Sequence, residues 1–525
     1  SKFATGLVWE RVGEHGLHLR IGETQIANDD LEATAQGSID IRPGQSPLLD
    51  IKAHLTRGAG NAVWRYLPKQ AGDNAYNWVK HSVIGGTSPD TRLVLKGPVD
   101  RFPYDKGGGE FQVTIQAKDA RVKYADSWPD IQDIQGEVIF KGIGMHIAVP
   151  SAKLLGVNLG PVAAIIPDLH SGDQEVLRID GQAKGSTPAF LEFIRQSPVF
   201  EHTGGFTERL KAEGQGVLQL HLNLPLRNIQ DATLRGDYRI IDNTLQPGKD
   251  LPTLAQLNGT LSFTESLLRG NGISTRLLGQ PARLQVSSEP GGRVKVGLTG
   301  QAGAAAFKEW LPASLLPYLS GNASYEAELG LKAQQTTLKI KSDLKGIGLN
   351  LPAPLNKSAE QSLPLVLTSS EGQGDTHIYS LQYGQILSGK MVTGAGEPHA
   401  LIYLGGGAPA SLPRDPGLSI QGNLRRFDLD AWQALDLGQA SGEKGPISLR
   451  NANVGFSALR AFNRVFHDTR IKATPVPMGW RLEINGKEVI GEVLYGECEY
   501  IHDVRRLYME NPGLPTDAPV ADLLR

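Results

Sequence analysis

Alternation of apolar and polar side chains dominates this chain and restricts its fold more than any other feature. In Leu218-Gln219-Leu220-His221-Leu222-Asn223-Leu224, leucines fall on one face of an extended chain and polar residues on the other. Successive strand side chains point to opposite faces, so this is the pattern of an antiparallel strand with one dry and one wet side. Leu17 to Ile21 and Phe111 to Ala117 alternate likewise, and Leu338-Lys339-Ile340 and Leu482-Glu483-Ile484 are shorter examples. With 62 Gly and 32 Pro in 525 residues, turns are frequent and long helices few.

One pattern is written twice. Pro129, Ile131, Ile134, Gly136, Val138, Phe140 and Leu154-Leu155-Gly156 match Pro252, Leu254, Leu257, Gly259, Leu261, Phe263 and Leu277-Leu278-Gly279 at a constant offset of 123. In each copy the two aliphatics three apart predict one amphipathic helical turn ended by Gly, after which alternation starts a half-buried strand. Such self-similarity is the signature of a repeat architecture.

Helices are expected only as punctuation. Four times a strand leads through a short turn into an aromatic-bearing segment. Ile51 to Leu55 precedes Trp64 and Tyr66, and Ile179 to Ala183 precedes Phe190 and Phe193. Val296 to Leu298 precedes Phe307 and Trp310, and Ile420 to Leu424 precedes Phe427 and Trp432. Gly86, Gly214 and Gly321 follow the first three segments and open new strands. A strand-rich unit of roughly 120 residues, used about four times, accounts for this. The divisions expected are 1–90 (strands and first insertion), 91–213, 214–320 and 321–436 (units with the second to fourth insertions), 437–493 (terminal strands) and 494–525 (a divergent tail). In that tail Tyr500 to Met509 is charged and possible helix, and Asn511 to Pro519 is Pro-rich.

Composition removes several function classes. Lys+Arg number 53 against 55 Asp+Glu, a net charge of -2, which is unlike the basic face a nucleic-acid binder needs. The single cysteine, Cys498, allows neither a disulfide framework nor a Cys-based zinc site within the chain. No apolar run approaches the roughly 20 residues of a membrane helix. Starting at Ser1-Lys2-Phe3 with no leader, the chain reads as part of a longer protein whose targeting segment, if any, lies outside it.

No catalytic, metal or cofactor site emerges from motifs. Gly384 to Met391 nearly spells a phosphate-binding loop, but Met391 stands where Ser or Thr must hold magnesium, and Val392-Thr393 continues as strand; a hairpin is expected. Gly107-Gly108-Gly109 and Gly405-Gly406-Gly407 lie between strands, as loops. His15 and His18 fall on opposite faces of a strand, His221 points to the wet face, and His467-Asp468 and His502-Asp503 lack a nucleophile at recognisable spacing.

What remains is the apolar face. Its periodicity fits two structures. One is a closed sandwich with a packed core. The other is an elongated, curved, largely antiparallel sheet whose concave face is an open apolar groove running from unit to unit. The second would expose more apolar area than a soluble monomer tolerates and would need an apolar guest.

Particular strings favour the second. Trp64-Arg65-Tyr66-Leu67-Pro68, Asn77-Trp78, Leu93-Val94-Leu95-Lys96-Gly97-Pro98-Val99-Asp100-Arg101-Phe102-Pro103-Tyr104, Trp128-Pro129-Asp130-Ile131, Leu349-Asn350-Leu351-Pro352-Ala353-Pro354-Leu355 and Gly479-Trp480-Arg481-Leu482 resemble, in order and wording, the YhdP-type branch of the AsmA-like family of bacterial envelope proteins. The likeness covers about residues 1–493; residues 494–525 and an N-terminal membrane helix have no counterpart here. The resemblance implies a repeating β-groove, anchored in the inner membrane by a helix outside this chain. It also implies a periplasmic location and passage of phospholipid towards the outer membrane, with membranes or outer-membrane proteins as partners. It supplies no catalytic residues and no cofactor. Acyl chains are expected against Val113, Ile115, Val138, Phe140, Leu218, Leu220, Leu222, Leu261, Phe263, Val296 and Leu298. A one-residue register error would invert that assignment. The competing reading is an envelope scaffold with a closed core and no guest.

Overall fold

The computed structural model describes residues 2–495, apart from 14, 70–71, 203–204, 249–250, 290–292, 308–310, 312, 333–334, 373, 395, 408–411, 413–414, 436–446 and 478, and also Leu507–Met509. The chain is mainly β, with few and short helices, and divides into two compact units: Ser1–Thr275 with Val286–Gly292, and Arg276–Gln285 with Arg293–Arg525.

In the first unit the strands from Gly16–Ala27 to Leu254–Thr264 pair antiparallel, each with the next in sequence. The sheet is open: its first edge is Lys2–Ala4 and Leu7–Val12, both laid against Gly16–Ala27. In the second unit, pairing is antiparallel from Arg293–Gly303 to His399–Leu404. Gly417–Asp428 then joins parallel to His399–Leu404, and Leu449–Ala461 parallel to Gly417–Asp428. A parallel neighbour needs a crossover of about a dozen residues or more, and 405–416 and 429–448 provide the length. Antiparallel order resumes through Val489–Tyr495 to Leu507–Met509. That last strand lies where the sequence suggests helix; the remainder of Tyr500 to Pro519 lies outside the described residues.

The repeated pattern has a backbone counterpart. Left-handed φ recurs at the same offset: Asp119 and Asp242 (51° and 48°), Asp133 and Gln256 (52° and 52°), Leu155 and Leu278 (48° and 52°), Gly156 and Gly279 (80° and 76°). The expected helical turn at Ile131–Ile134 and Leu254–Leu257 is not formed. Both stretches lie within strands, Ile131–Lys141 and Leu254–Thr264. Asn243 pairs with Leu257 and Leu245 with Leu254, so the later strand carries an extra residue there. This β-bulge returns the side chain three positions on to the same face, and Leu254 and Leu257 are both buried. A spacing of three, the mark of a helix in a continuous pattern, here marks a bulge.

Gly86, Gly214 and Gly321 sit near the starts of the strands Val83–Pro98, Lys211–Pro225 and Leu319–Lys332, each at left-handed φ (101°, 111°, 84°). A Cβ on Gly214 would lie 1.9 Å from Asn243 Oδ1, and one on Gly321 1.9 Å from Gly346 O. Only glycine fits where neighbouring backbone comes this close at left-handed φ.

The helices join strands that are neighbours in the sheet. Gly60–Tyr66 and Gly72–Ser82 follow Leu48–Ala59; Thr187–Arg195 follows Val176–Ser186. Ala304–Phe307 and Ala313–Tyr318 follow Arg293–Gly303; Leu429–Gln433 follows Gly417–Asp428. Phe427 is the last residue but one of its strand, while Trp310 and Pro312 lie outside the described residues. Gly72–Ser82 carries few apolar residues and is exposed along most of its length, which is why the sequence did not announce it. Thr187–Arg195 is well capped: Ser186 Oγ accepts from Ala189 N, Pro188 occupies the first turn, and Arg195 donates to Leu210 O.

Candidate functional site

Residues directly opposite each other on paired strands share a face, so the register decides what the alternation puts together. In the first unit one row runs Leu55, Thr91, Ile115, Val138, Ile147, Ala164, Ile179, Leu222, Leu234. Val113 and Phe140 pair beside it. Leu218 and Leu261 both pair with Tyr238, and Leu220 and Phe263 both pair with Gly236. Nine of the expected positions therefore fall on one face. In the second unit Leu298 begins a row through Ala327, Ile340, Leu367, Leu381, Gly389, Ile402, Ile420, Ala452, Ala473, Leu482 and Val493, apolar at every step. Val296 lies on the same face beside it, paired with Leu329 and through it with Leu338.

The opposite face in the first unit is mainly polar, and many of its charged side chains pair with one another. Lys96 bridges Asp50 at 3.0 Å, His18 Nδ1 lies 2.6 Å from Asp40, Gln116 donates to Glu137, and His221 pairs with Asp180. His467 pairs with Glu488 at 2.7 Å and Asp468 with Lys487, so neither forms the His-Asp couple suggested by adjacency. Gly384–Ile386 is the turn of a hairpin, with Gly384 at φ 51°. Among the described residues no three His, Cys, Asp or Glu side chains gather as a metal site would need, and no helix is long and apolar enough to cross a membrane.

All eleven expected residues are half-buried: neighbours on the sheet cover their flanks without sealing them. In a sandwich, an opposing sheet would bury such an inner face.

Sequence reasoning missed how the large rings on this face lie. Gly236 and Gly300 sit across from Phe263 and Tyr325. A Cβ on Gly236 would lie 2.3 Å from the Phe263 ring, and one on Gly300 2.8 Å from the Tyr325 hydroxyl. The rings therefore lie over the neighbouring glycines, which keeps the apolar layer thin. Gly opposite an aromatic on a paired strand is the signal that could have found this. Tyr383 shares the face with Leu365 and Leu387, and burial pushes its phenol up to about 12. The face thus presents hydrocarbon and neutral phenols, suited to holding apolar chains.

The string Leu349 to Leu355 forms a lobe organised by one buried cation. Lys357 Nζ donates to Leu344 O (2.7 Å), Ile347 O (2.8 Å) and Ser358 O (3.0 Å). Burial lowers its pKa, opposed by Asp343 and Glu360. Lys357→Met would leave those carbonyls without the ammonium; a loss of about 3 kcal/mol is expected. It should appear as faster amide exchange at Ile347 and Leu349, and unchanged exchange there would refute the lobe's dependence on Lys357.

Comparison with known proteins agrees with this geometry. The family model described as "YhdP protein" matches residues 1–515. The chain is 25% identical over 492 residues to the Escherichia coli (strain K12) protein named "Intermembrane phospholipid transporter YhdP". That match takes in 89% of this chain and 38% of the relative, so the chain spans well under half the length of the protein it resembles. No solved structure matches. An open, mainly antiparallel sheet with one apolar face, matched almost end to end by that family model, places the chain in the YhdP family.

Proposed function

We propose that this chain carries phospholipid without chemical change, its apolar sheet face serving as a trough for acyl chains while headgroups stay in water. The observation that carries this reading is the register: Ile115, Val138 and Leu222 lie in one row across the first unit that is apolar but for Thr91, and Leu298 begins another in the second. Each methylene moved from water onto such a face contributes about 0.8 kcal/mol, so two acyl chains supply ample affinity even when only partly covered. The name of the Escherichia coli relative supports phospholipid as the cargo and passage between membranes as the task. The setting that follows is the periplasm, with inner and outer membranes as donor and acceptor and no catalytic step. The competing scaffold reading is disfavoured by the half-exposed state of the apolar face.

Native mass spectrometry of the chain purified from bacterial cells tests this. Phospholipid adducts retained under gentle ionisation are expected; a chain recovered free of lipid from a lipid-rich extract would overturn the proposal.

A further inference from the structure

Turns of an antiparallel ladder alternate between its two rims. In the first unit this puts the loops 28–30 and 123–130 on the same rim as the insertions after Leu48–Ala59 and Val176–Ser186. Both insertions reach back along that rim. Tyr66 hydroxyl donates to Asp30 (3.1 Å) and accepts from Asn28 (3.0 Å), while Arg65 holds both oxygens of Asp30 (3.0 and 2.9 Å).

Thr187–Arg195 reaches further. Its Phe193 ring lies 5.8 Å from Trp128, which itself packs tilted at 5.8 Å against Tyr124 in the same loop. Four strands separate loop and helix, about 19 Å on a flat sheet. A nine-residue helix is about 14 Å long, so helix and aromatic side chains together bridge that gap only by lying across the strands. The side it crosses is the apolar one: Phe190 packs edge-on at 5.1 Å against Tyr238, which shares its face with Leu218 and Leu261. Thr187 Oγ1 lies 2.7 Å from Tyr238 hydroxyl and accepts from the buried Asn243 (2.6 Å), fixing the helix's first turn. Its far end is held by Phe193 on Trp128 and by Arg195, which donates to Leu210 O (3.0 Å) and Thr207 O (3.5 Å). Beside that end a cleft of about 460 Å³ opens between Trp128, Lys153, Leu155 and Gln196. In the second unit the short insertion also reaches back, Trp432 of Leu429–Gln433 donating to Ala353 O at 3.0 Å from five strands away.

We propose that these insertions are clasps across the rim of the apolar face, and that Thr187–Arg195 is hinged at the polar anchor of Thr187 and latched by the contact of Phe193 with Trp128. A hydrocarbon chain enters the face sideways when a latch opens. The proposal rests on the lipid-carrying reading above and adds the point of entry.

The test uses the whole chain with Cys498→Ser, Trp128→Cys and Phe193→Cys, bridged by a short, reducible bis-methanethiosulfonate spacer. The probe is a vesicle of phosphatidylethanolamine and phosphatidylglycerol carrying a diazirine-labelled phosphatidylethanolamine, with capture read as photo-adducts by mass spectrometry. Holding a minor open state shut should lower capture by about tenfold or more, and reduction should restore it to at least the parent's level. Equal capture by bridged and reduced forms, with matching circular dichroism, would overturn the clasp while leaving the lipid reading intact. Absence of capture in both the parent and the reduced form would overturn the lipid reading and the clasp with it.

Discussion

Leu220→Asp and Leu222→Asp together are expected to lower phospholipid capture by about a hundredfold, or ~3 kcal/mol, with the fold retained. Leu220 lies between Gly181 and Gly236, and Leu222 between Ile179 and Leu234, in the middle of the apolar face. Two carboxylates there would have to shed water against acyl chains, or the chains would have to stay away; either outcome removes more than the few methylenes in direct contact. Both leucines are already half-exposed, so in the lipid-free chain the carboxylates keep much of their hydration. The fold itself should lose only about 1–3 kcal/mol. Gln219→Asp with Asn223→Asp, on the opposite face of the same strand, is the matched control and should leave capture unchanged. Global unfolding of the leucine pair, seen by circular dichroism, would show that this face is a sealed core.

The second large effect is on stability. Gly214→Ala is expected to cost about 3 kcal/mol or more, from left-handed strain plus a steric clash. Its φ is 111°, and the new Cβ would stand 1.9 Å from Asn243 Oδ1 and 2.8 Å from Asn243 Cα. Asn243 cannot yield without releasing Thr187, so the damage should spread to the start of Thr187–Arg195. Gly156→Ala is the comparison: its φ is 80°, yet nothing lies within 4 Å of the added carbon. Only the conformational strain of about 1–2 kcal/mol applies there. Because stability in stacked units is local, hydrogen exchange along Thr233–Gln246 is the right measurement. Equal protection in the two variants would contradict this account of the bulge.

Much of this architecture is written in side-chain alternation, because a strand with one wet and one dry face leaves a period of two wherever it is undistorted. Leu218 to Leu224 and Phe111 to Ala117 are such stretches, and their apolar members meet on one face as the pattern requires. The distortions are less legible. Asp133 and Gln256 adopt left-handed φ without being glycine, and the extra residue each inserts turns a strand's spacing of two into a spacing of three. Local sequence cannot distinguish that from a helical turn; the pairing of Asn243 with Leu257 and Leu245 with Leu254 does. Parallel pairing of Gly417–Asp428 was equally hidden, since it depends on where the chain returns after 405–416 and not on the strand's own residues. The clasps were half legible. The aromatics of the insertions stand out in the sequence, but their partners Trp128, Tyr238 and Ala353 lie 79 residues away or less along the chain and are brought near only by the sheet.

The central claim is that one face of the ladder, and not the other, meets lipid. Its most direct test is a photo-crosslinking scan in which benzoylphenylalanine replaces each residue from Leu218 to Leu224 in turn, in cells, with lipid adducts read by mass spectrometry. The account predicts adducts at 218, 220, 222 and 224 and none at 219, 221 and 223. Adducts without that two-residue rhythm, or on the polar positions alone, would contradict it.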